Sequence, residues 1–158
     1  MGVRRRRAAA ARGSRRLSRL LLHIVARGKI GRSPESDLVD RYLKRIAWPT
    51  KVTELGDRAA LPPAAANSVT IALDERGQAL SSIELATKLD GWRDRGKREA
   101  RFLIGAADGH DNAQRAKADL LLSFGPATWP HLLVRAMLAE QLFRATSILA
   151  NHPYHREG

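Results

Sequence analysis

The sequence predicts an α/β fold built on a parallel sheet. Short apolar runs alternate with amphipathic segments of helical period along most of the 158 residues. Strands alternating with helices mean a parallel sheet covered on both faces. Apolar residues make up 44% of the chain, and a chain of this length buries roughly two thirds of its unfolded surface, enough for one domain with a real core.

Each element has a local reason. Leu20–Ala26 is a short apolar run bounded by the charged, Gly-containing stretch 27–32, and reads as a buried strand. Ser33-Pro34-Glu35 is a helix start, a Ser cap with Pro at the first helical position and an acid in the first turn. Leu38, Val39, Tyr42, Leu43 and Ile46 then share one helical face, and Pro49 stops the helix. Strand is expected over 51–55. The stretch 56–67, with Pro62-Pro63 and several alanines, reads as a mobile surface connection. Ser68–Leu73 is β-branched and apolar, a buried strand, and 74–78 with Gly77 reads as a turn. Ser81 or Ser82 caps a helix carrying Ile83, Leu85, Ala86, Leu89 and Trp92. Arg101–Ile104 is strand, 111–118 a short helix, 120–124 strand and 130–150 the longest helix.

The net charge is +12, from 28 Lys+Arg against 16 Asp+Glu. Such an excess points to a polyanionic partner, nucleic acid or an acidic membrane surface. Residues 1–19 hold eight of the arginines and no acid; subtracting them leaves 20 basic against 16 acidic residues, or +4. The head therefore reads as a disordered basic extension over 1–19, ahead of one domain over 20–158. Its composition is shared with organellar transit peptides, whereas a secretory signal lacks its cleavage pattern here. No apolar run approaches the ~18 residues of a membrane span. The absence of cysteine excludes disulfides, thiolate metal sites and cysteine nucleophiles, and fits a reducing compartment.

In an open parallel sheet, ligands bind beyond the carboxyl ends of the strands. Three such ends are candidates: Leu73-Asp74, the loop 105–109 (GAADG) and the loop 125–130 (GPATWP). Their small residues let a flat ligand approach the backbone. Neither a GxGxxG fingerprint nor a GxxxxGK[ST] loop is present, so NAD and ATP are poor candidates, and no GxSxG elbow supports serine hydrolysis. The tail 151–157 (NHPYHRE) concentrates imidazoles, a phenol and a guanidinium just after a helix. Those groups can orient a base, move a proton and neutralise phosphate. His110 reads as a surface residue, His131 as a packed or capping one. The basic run 93–101 has the chemistry to meet phosphate, although such runs are commonly solvated loops.

FLIGAADG, TWPHLLVRAMLAEQLFRA and the terminal NHPYHRE together resemble the RlmH family, large-subunit ribosomal RNA methyltransferases of the SPOUT superfamily. LLLHIVARGKIGRSPESDLVDRYLKRIAWP resembles the same family, so the likeness runs from about Leu20 to Glu157. It implies a SPOUT-type α/β knot with a C-terminal trefoil knot, and a cytoplasmic homodimer whose second subunit completes the site. The methyl donor implied is S-adenosyl-L-methionine with no metal. The acceptor implied is N3 of pseudouridine 1915 in helix 69 of 23S rRNA, within the ribosome. Carried over by motif, the donor contacts fall on Leu73, Gly105, Ala106, Gly125, Pro126, Ala127, Thr128, Trp129 and Pro130. The family often has Gly-Gly where this chain has Gly105-Ala106, and SALTLP where it has GPATWP. His155 is expected to take the N3 proton, with Tyr154 positioning it and Arg156 holding phosphate or the uracil oxygens; Arg135 and Arg144 are expected RNA contacts. A SPOUT methyltransferase for another nucleotide and a non-catalytic ribosome-binding module are the rival readings.

Overall fold

The computed structural model describes residues 19–106 and 109–156. The expected disordered head thus lies outside the described residues except for Arg19, as do Ala107 and Asp108 of the second loop and Glu157 of the tail. Five strands, β1 (Leu21–Arg27), β2 (Thr50–Leu55), β3 (Ser68–Ala79), β4 (Glu99–Ile104) and β5 (Leu120–Ser123), form one sheet in the order β2-β1-β4-β3-β5. Every neighbouring pair is parallel. The helices are α1 (Pro34–Leu43), α2 (Ser82–Asp94), α3 (Asn112–Lys117) and α4 (His131–Leu149).

Both faces are covered as expected, but unevenly: three helices pack on one face, and only the short α3, through its C-cap Ala118, borders the other. Leu22, Ile24, Ile71, Phe102 and Leu122 on one sheet face pack against α1, α2 and α4 through Tyr42, Leu85, Leu89, Leu138 and Leu142. The opposite face has only a small cluster, Val25, Ala72 and Leu103, under Leu55, Leu61, Ala118 and Leu121. Its cover is the connection 56–67 and the approach to β5. That connection is pinned rather than loose. Arg27 donates to the carbonyls of Gly56 and Ala59 at 2.9 and 2.7 Å, and the buried Arg101 donates to Pro62 at 2.5 Å. Apolar runs therefore look alike in sequence whether a helix or an anchored loop lies above them.

Helix α1 starts as its sequence dictates. The Ser33 hydroxyl accepts from the Ser36 N–H at 3.1 Å, with Pro34 in the first turn. Replacing Ser33 by alanine is expected to destabilise the protein by about 1 kcal/mol, read from urea denaturation. The helix ends at Leu43, earlier than the apolar face suggests; Ile46 is still buried, but in a tight turn whose N–H bonds to Leu43. In α2 the cap is Ser81, reciprocated by Glu84. Leu85, Ala86, Leu89 and Trp92 are buried as expected, whereas Ile83 is 39% exposed because it points away from their stripe.

The expected turn at 74–78 is a bulge inside a strand. Leu73 and Gln78 both face Leu122 of β5, so the residues between them loop out and β3 resumes. Gly77 makes this passage: a Cβ there would sit 2.5 Å from the backbone carbonyl group of Leu121. Helix α4 lies between α1 and α2. It ends in a Schellman turn: Asn151 is left-handed (φ 56°), its N–H bonds to Ile148 and the His152 N–H to Ser147. This turn folds the tail back along the helix.

Candidate functional site

A cleft of about 560 Å³ opens at the carboxyl ends of β4, β3 and β5. That size suits a small-molecule site. All three strand-end loops form its wall. Leu73, Gly105, Ala106, Gly125, Ala127, Thr128, Trp129 and Pro130 line it as expected; Pro126 does not. The floor is apolar, from Ile104, Leu122, Phe124 and Val134, and the rim carries Asp74, Glu75, Arg76, Arg115 and His131.

The loops are tied together by side chains, of which Glu75 and Ser123 carry no mark in the sequence motifs. The Thr128 hydroxyl donates to Glu75 at 3.0 Å, and the Ser123 hydroxyl, beside the Glu75 carbonyl at 3.2 Å, accepts from the Gly125 N–H at 3.0 Å. Gly125 itself has φ 106°, which favours glycine. Asp74 accepts from the Arg76 N–H at 2.9 Å and from Arg115 of α3 at 2.7 Å. Burial pushes the Asp74 carboxyl up, but these two contacts outweigh it and hold the pKa below the ordinary value. His110 is buried, not on the surface: its Nε2 lies 3.2 Å from the Leu103 carbonyl. A carbonyl only accepts, so Nε2 carries the proton. The signal for Asp74 was its place at a strand end. Arg115 had no comparable signal, because only the fold brings a residue 41 positions away to it.

The tail residues form a second cluster on α4, outside the cleft wall. The Tyr154 hydroxyl donates to Glu140 at 3.0 Å, and its ring packs on Phe143 with centroids 4.5 Å apart. Arg144 places two N–H groups on Glu140 at 2.6 and 2.8 Å, stacks over the Tyr154 ring at 4.7 Å, and reaches His155 Nδ1 at 3.1 Å. A guanidinium only donates, so Nδ1 accepts and the His155 proton sits on Nε2, which is buried without a partner. In this arrangement His155 offers a donor, not a lone pair. Burial, then the bond to Glu140, pushes the Tyr154 pKa up to about 12, so it stays a phenol. Arg156 is exposed.

Arg135 is turned inward. It is 1% exposed, bonds Glu54 at 2.6 Å and the Gly28 carbonyl at 3.2 Å, and is not on the surface where an RNA contact was expected. Its place inside the α4 stripe is the reason: neighbours Leu138 and Leu142 face the core.

The sheet, the strand-end cleft and the loop chemistry define a class: an α/β domain whose cleft suits a flat, partly charged ligand. The family model described as "Predicted SPOUT methyltransferase" matches residues 20–155. A ribosomal RNA large subunit methyltransferase H of Rhizorhabdus wittichii is 69% identical over 140 residues, covering 88% of this chain and all of the relative. The protein of that name from Novosphingobium aromaticivorans is 67% identical over 141 residues, with the same coverage. The chain belongs to the ribosomal RNA large subunit methyltransferase H family of SPOUT methyltransferases. In fold it is similar to a probable methylase family protein from Haemophilus influenzae, with TM-score 0.56 and 13% identity over 86% of this chain and 70% of that one. It is likewise similar to a probable methyltransferase from Bordetella pertussis, with TM-score 0.53 and 13% identity over 85% and 99%. At that identity the likeness is of fold alone.

Proposed function

We propose that the chain transfers a methyl group from S-adenosyl-L-methionine to N3 of pseudouridine 1915 in helix 69 of 23S rRNA. It acts on the ribosome, in the cytoplasm, as a homodimer. The observation that carries the reading is the single cleft walled by all three strand-end loops. Its chemistry fits the donor. Ile104, Leu122 and Phe124 offer an apolar bed for a flat base, and the rim supplies polar groups of both signs to orient the rest of the donor. When bound, the donor supplies a methyl already activated on a sulfonium sulfur. The trefoil knot implied by the resemblance is assigned to the same region; the β3 bulge and the close pass of Gly77 by Leu121 support it.

The remaining work is to hold the acceptor in line and stabilise it as N3 loses its proton. Negative charge then grows on the uracil carbonyl oxygens. The buried Nε2–H of His155 is suited to bond such an oxygen, with Arg144 fixing its tautomer and Arg156 free to meet phosphate. His155 serves as the proton acceptor only if its ring first gives up Arg144.

The tail does not serve its own chain's cleft. Arg144, which holds His155, lies 13 residues along α4 from the cleft residue His131, about 20 Å at the helical rise. A second copy is therefore assigned to bring its tail to this cleft. His155→Ala is expected to slow methyl transfer about 100-fold with donor affinity unchanged. Gly105→Val, which crowds the Gly109 backbone, is expected to lose donor binding. Mixing the two inactive proteins is expected to restore about a quarter of wild-type activity, since random exchange makes half the dimers mixed, each with one intact site. No recovery after confirmed exchange would mean that each tail serves its own chain.

A further inference from the structure

We infer that the edge of the sheet opposite the cleft is a second RNA-binding surface. It would grip the phosphate backbone of a ribosomal RNA segment other than the acceptor. The inference rests on the reading of ribosomal RNA as the substrate, but on different residues.

Three chain segments meet at the amino ends of β1, β2 and β4. The Leu21 N–H bonds to the Arg98 carbonyl and the Leu22 N–H to that of Pro49, both at 2.9 Å. Arg93 stacks over Trp48 at 4.7 Å, and Arg19 reaches the Ala47 carbonyl at 3.5 Å. These contacts join 19–22, 44–49 and 93–98 into one surface. It carries Arg19, Lys44, Arg45, Arg95, Lys97 and Arg98, all exposed but the half-buried Lys97. None of the six is in an ion pair among the described residues.

The acids of this edge do not neutralise them. Only Asp90 has a cation of its own, Arg93; Glu99, bonded to His23, and Asp119, bonded to the Thr70 N–H, are turned to those partners but keep their charge, so the acids remain outnumbered. Asp94 and, a turn up α1, Asp40 remain. A helix-terminal role accounts for Lys44 and Arg95, which cap α1 and α2 where cations suit the dipole. It does not account for Arg45, Lys97 or Arg98. Like charges concentrated on one edge without local partners fit a polyanion. The cations come without a base-reading pocket, so contact to phosphates, independent of sequence, is the recognition they support. The β4 strand separates this edge from the cleft by about 20 Å at the strand rise. Both sites are therefore free to engage different stretches of one large RNA.

The test uses the full chain and purified large ribosomal subunits as probe. Binding is measured over a salt series for wild type, for Arg95→Gln/Lys97→Gln/Arg98→Gln, and for the corresponding triple Glu variant. The Gln variant is expected to bind subunits about tenfold more weakly at moderate salt, with a plot of log K against log salt shallower by about 2, as three lost phosphate contacts require. The Glu variant is expected to bind more weakly still. Donor affinity by calorimetry and turnover at saturating subunits are expected to stay at wild-type values. Unchanged affinity and slope in the Gln variant would overturn the inference and leave the six cations as solvated surface. Binding to anionic lipid vesicles with none to subunits would overturn it too. If wild type binds subunits through this edge yet methylates no rRNA, the proposed function fails and this inference stands.

Discussion

Gly77→Ala is expected to cost about 3 kcal/mol of stability and to abolish binding of S-adenosyl-L-methionine. The added methyl would lie 2.5 Å from the Leu121 carbonyl carbon and oxygen, and 2.9 Å from the Leu122 nitrogen. Those are backbone atoms of β5, held in the sheet by pairing with β3. Neither side can yield by a rotamer change, so one strand must move. The bulge 74–77 and the loop after β5 form two of the three cleft walls, so a shift there opens the site. Gly56→Ala is the control. A Cβ there meets nothing within 4 Å, and its effect is expected to stay within about 0.5 kcal/mol. Urea denaturation and calorimetry read the two consequences separately.

Glu54→Ala is expected to destabilise the protein by about 3 kcal/mol, at the low end for a broken buried pair because Glu54 itself is 35% exposed. Its partner Arg135 is 1% exposed and keeps only the Gly28 carbonyl, with Nε already unpartnered. Removing the carboxylate strands a charge inside α4. The same pair sets an acid limit. The bond from Arg135, and then the N–H of Ile30, hold the Glu54 pKa below the ordinary carboxylate value. A depressed folded pKa contributes stability that is present above the unfolded value and fades as pH falls through the folded one. The wild-type melting temperature should therefore drop as pH is lowered through and below the ordinary carboxylate range. The Glu54→Ala protein should start lower and lose less over that interval.

Much of this was legible in the sequence, for identifiable reasons. Four of the five strands are built on apolar runs, the edge strand β2 (TKVTEL) being the exception, and the caps at Ser33 and Ser81 mark their helices because side-chain oxygens satisfy free N–H groups. The three loops were legible as a site because a parallel sheet puts its ligands at the carboxyl ends of strands. What was not legible depends on long-range contacts. Arg135 looks like any exposed cation in a basic helix, and only the packing of α4 shows it buried against Glu54, 81 positions away. Likewise, His110 reads as polar surface until β4 lends it the Leu103 carbonyl. The 56–67 connection looks loose because its anchors, Arg27 and Arg101, lie in strands that carry no mark of it. His155 was legible as an imidazole in the tail but not as a tautomer, which is set by Arg144 on another element.

The charge distribution also sharpens the account of RNA binding. Outside the head the excess is +4, and it is not spread evenly: unpaired cations gather at the amino edge of the sheet, while at the cleft Asp74 and Glu75 are matched by Arg76 and Arg115.

The central claim is tested most directly by mapping the product. Large subunits and whole ribosomes lacking the modification are incubated with the full chain and S-adenosyl-L-methionine, and the 23S rRNA is digested and sequenced by mass spectrometry. The account predicts one added methyl, on N3 of pseudouridine 1915, absent when the donor is omitted and strongly reduced with His155→Ala. A methyl at another nucleotide would contradict the assigned target, and no incorporation by a protein that binds the donor would contradict the assigned reaction.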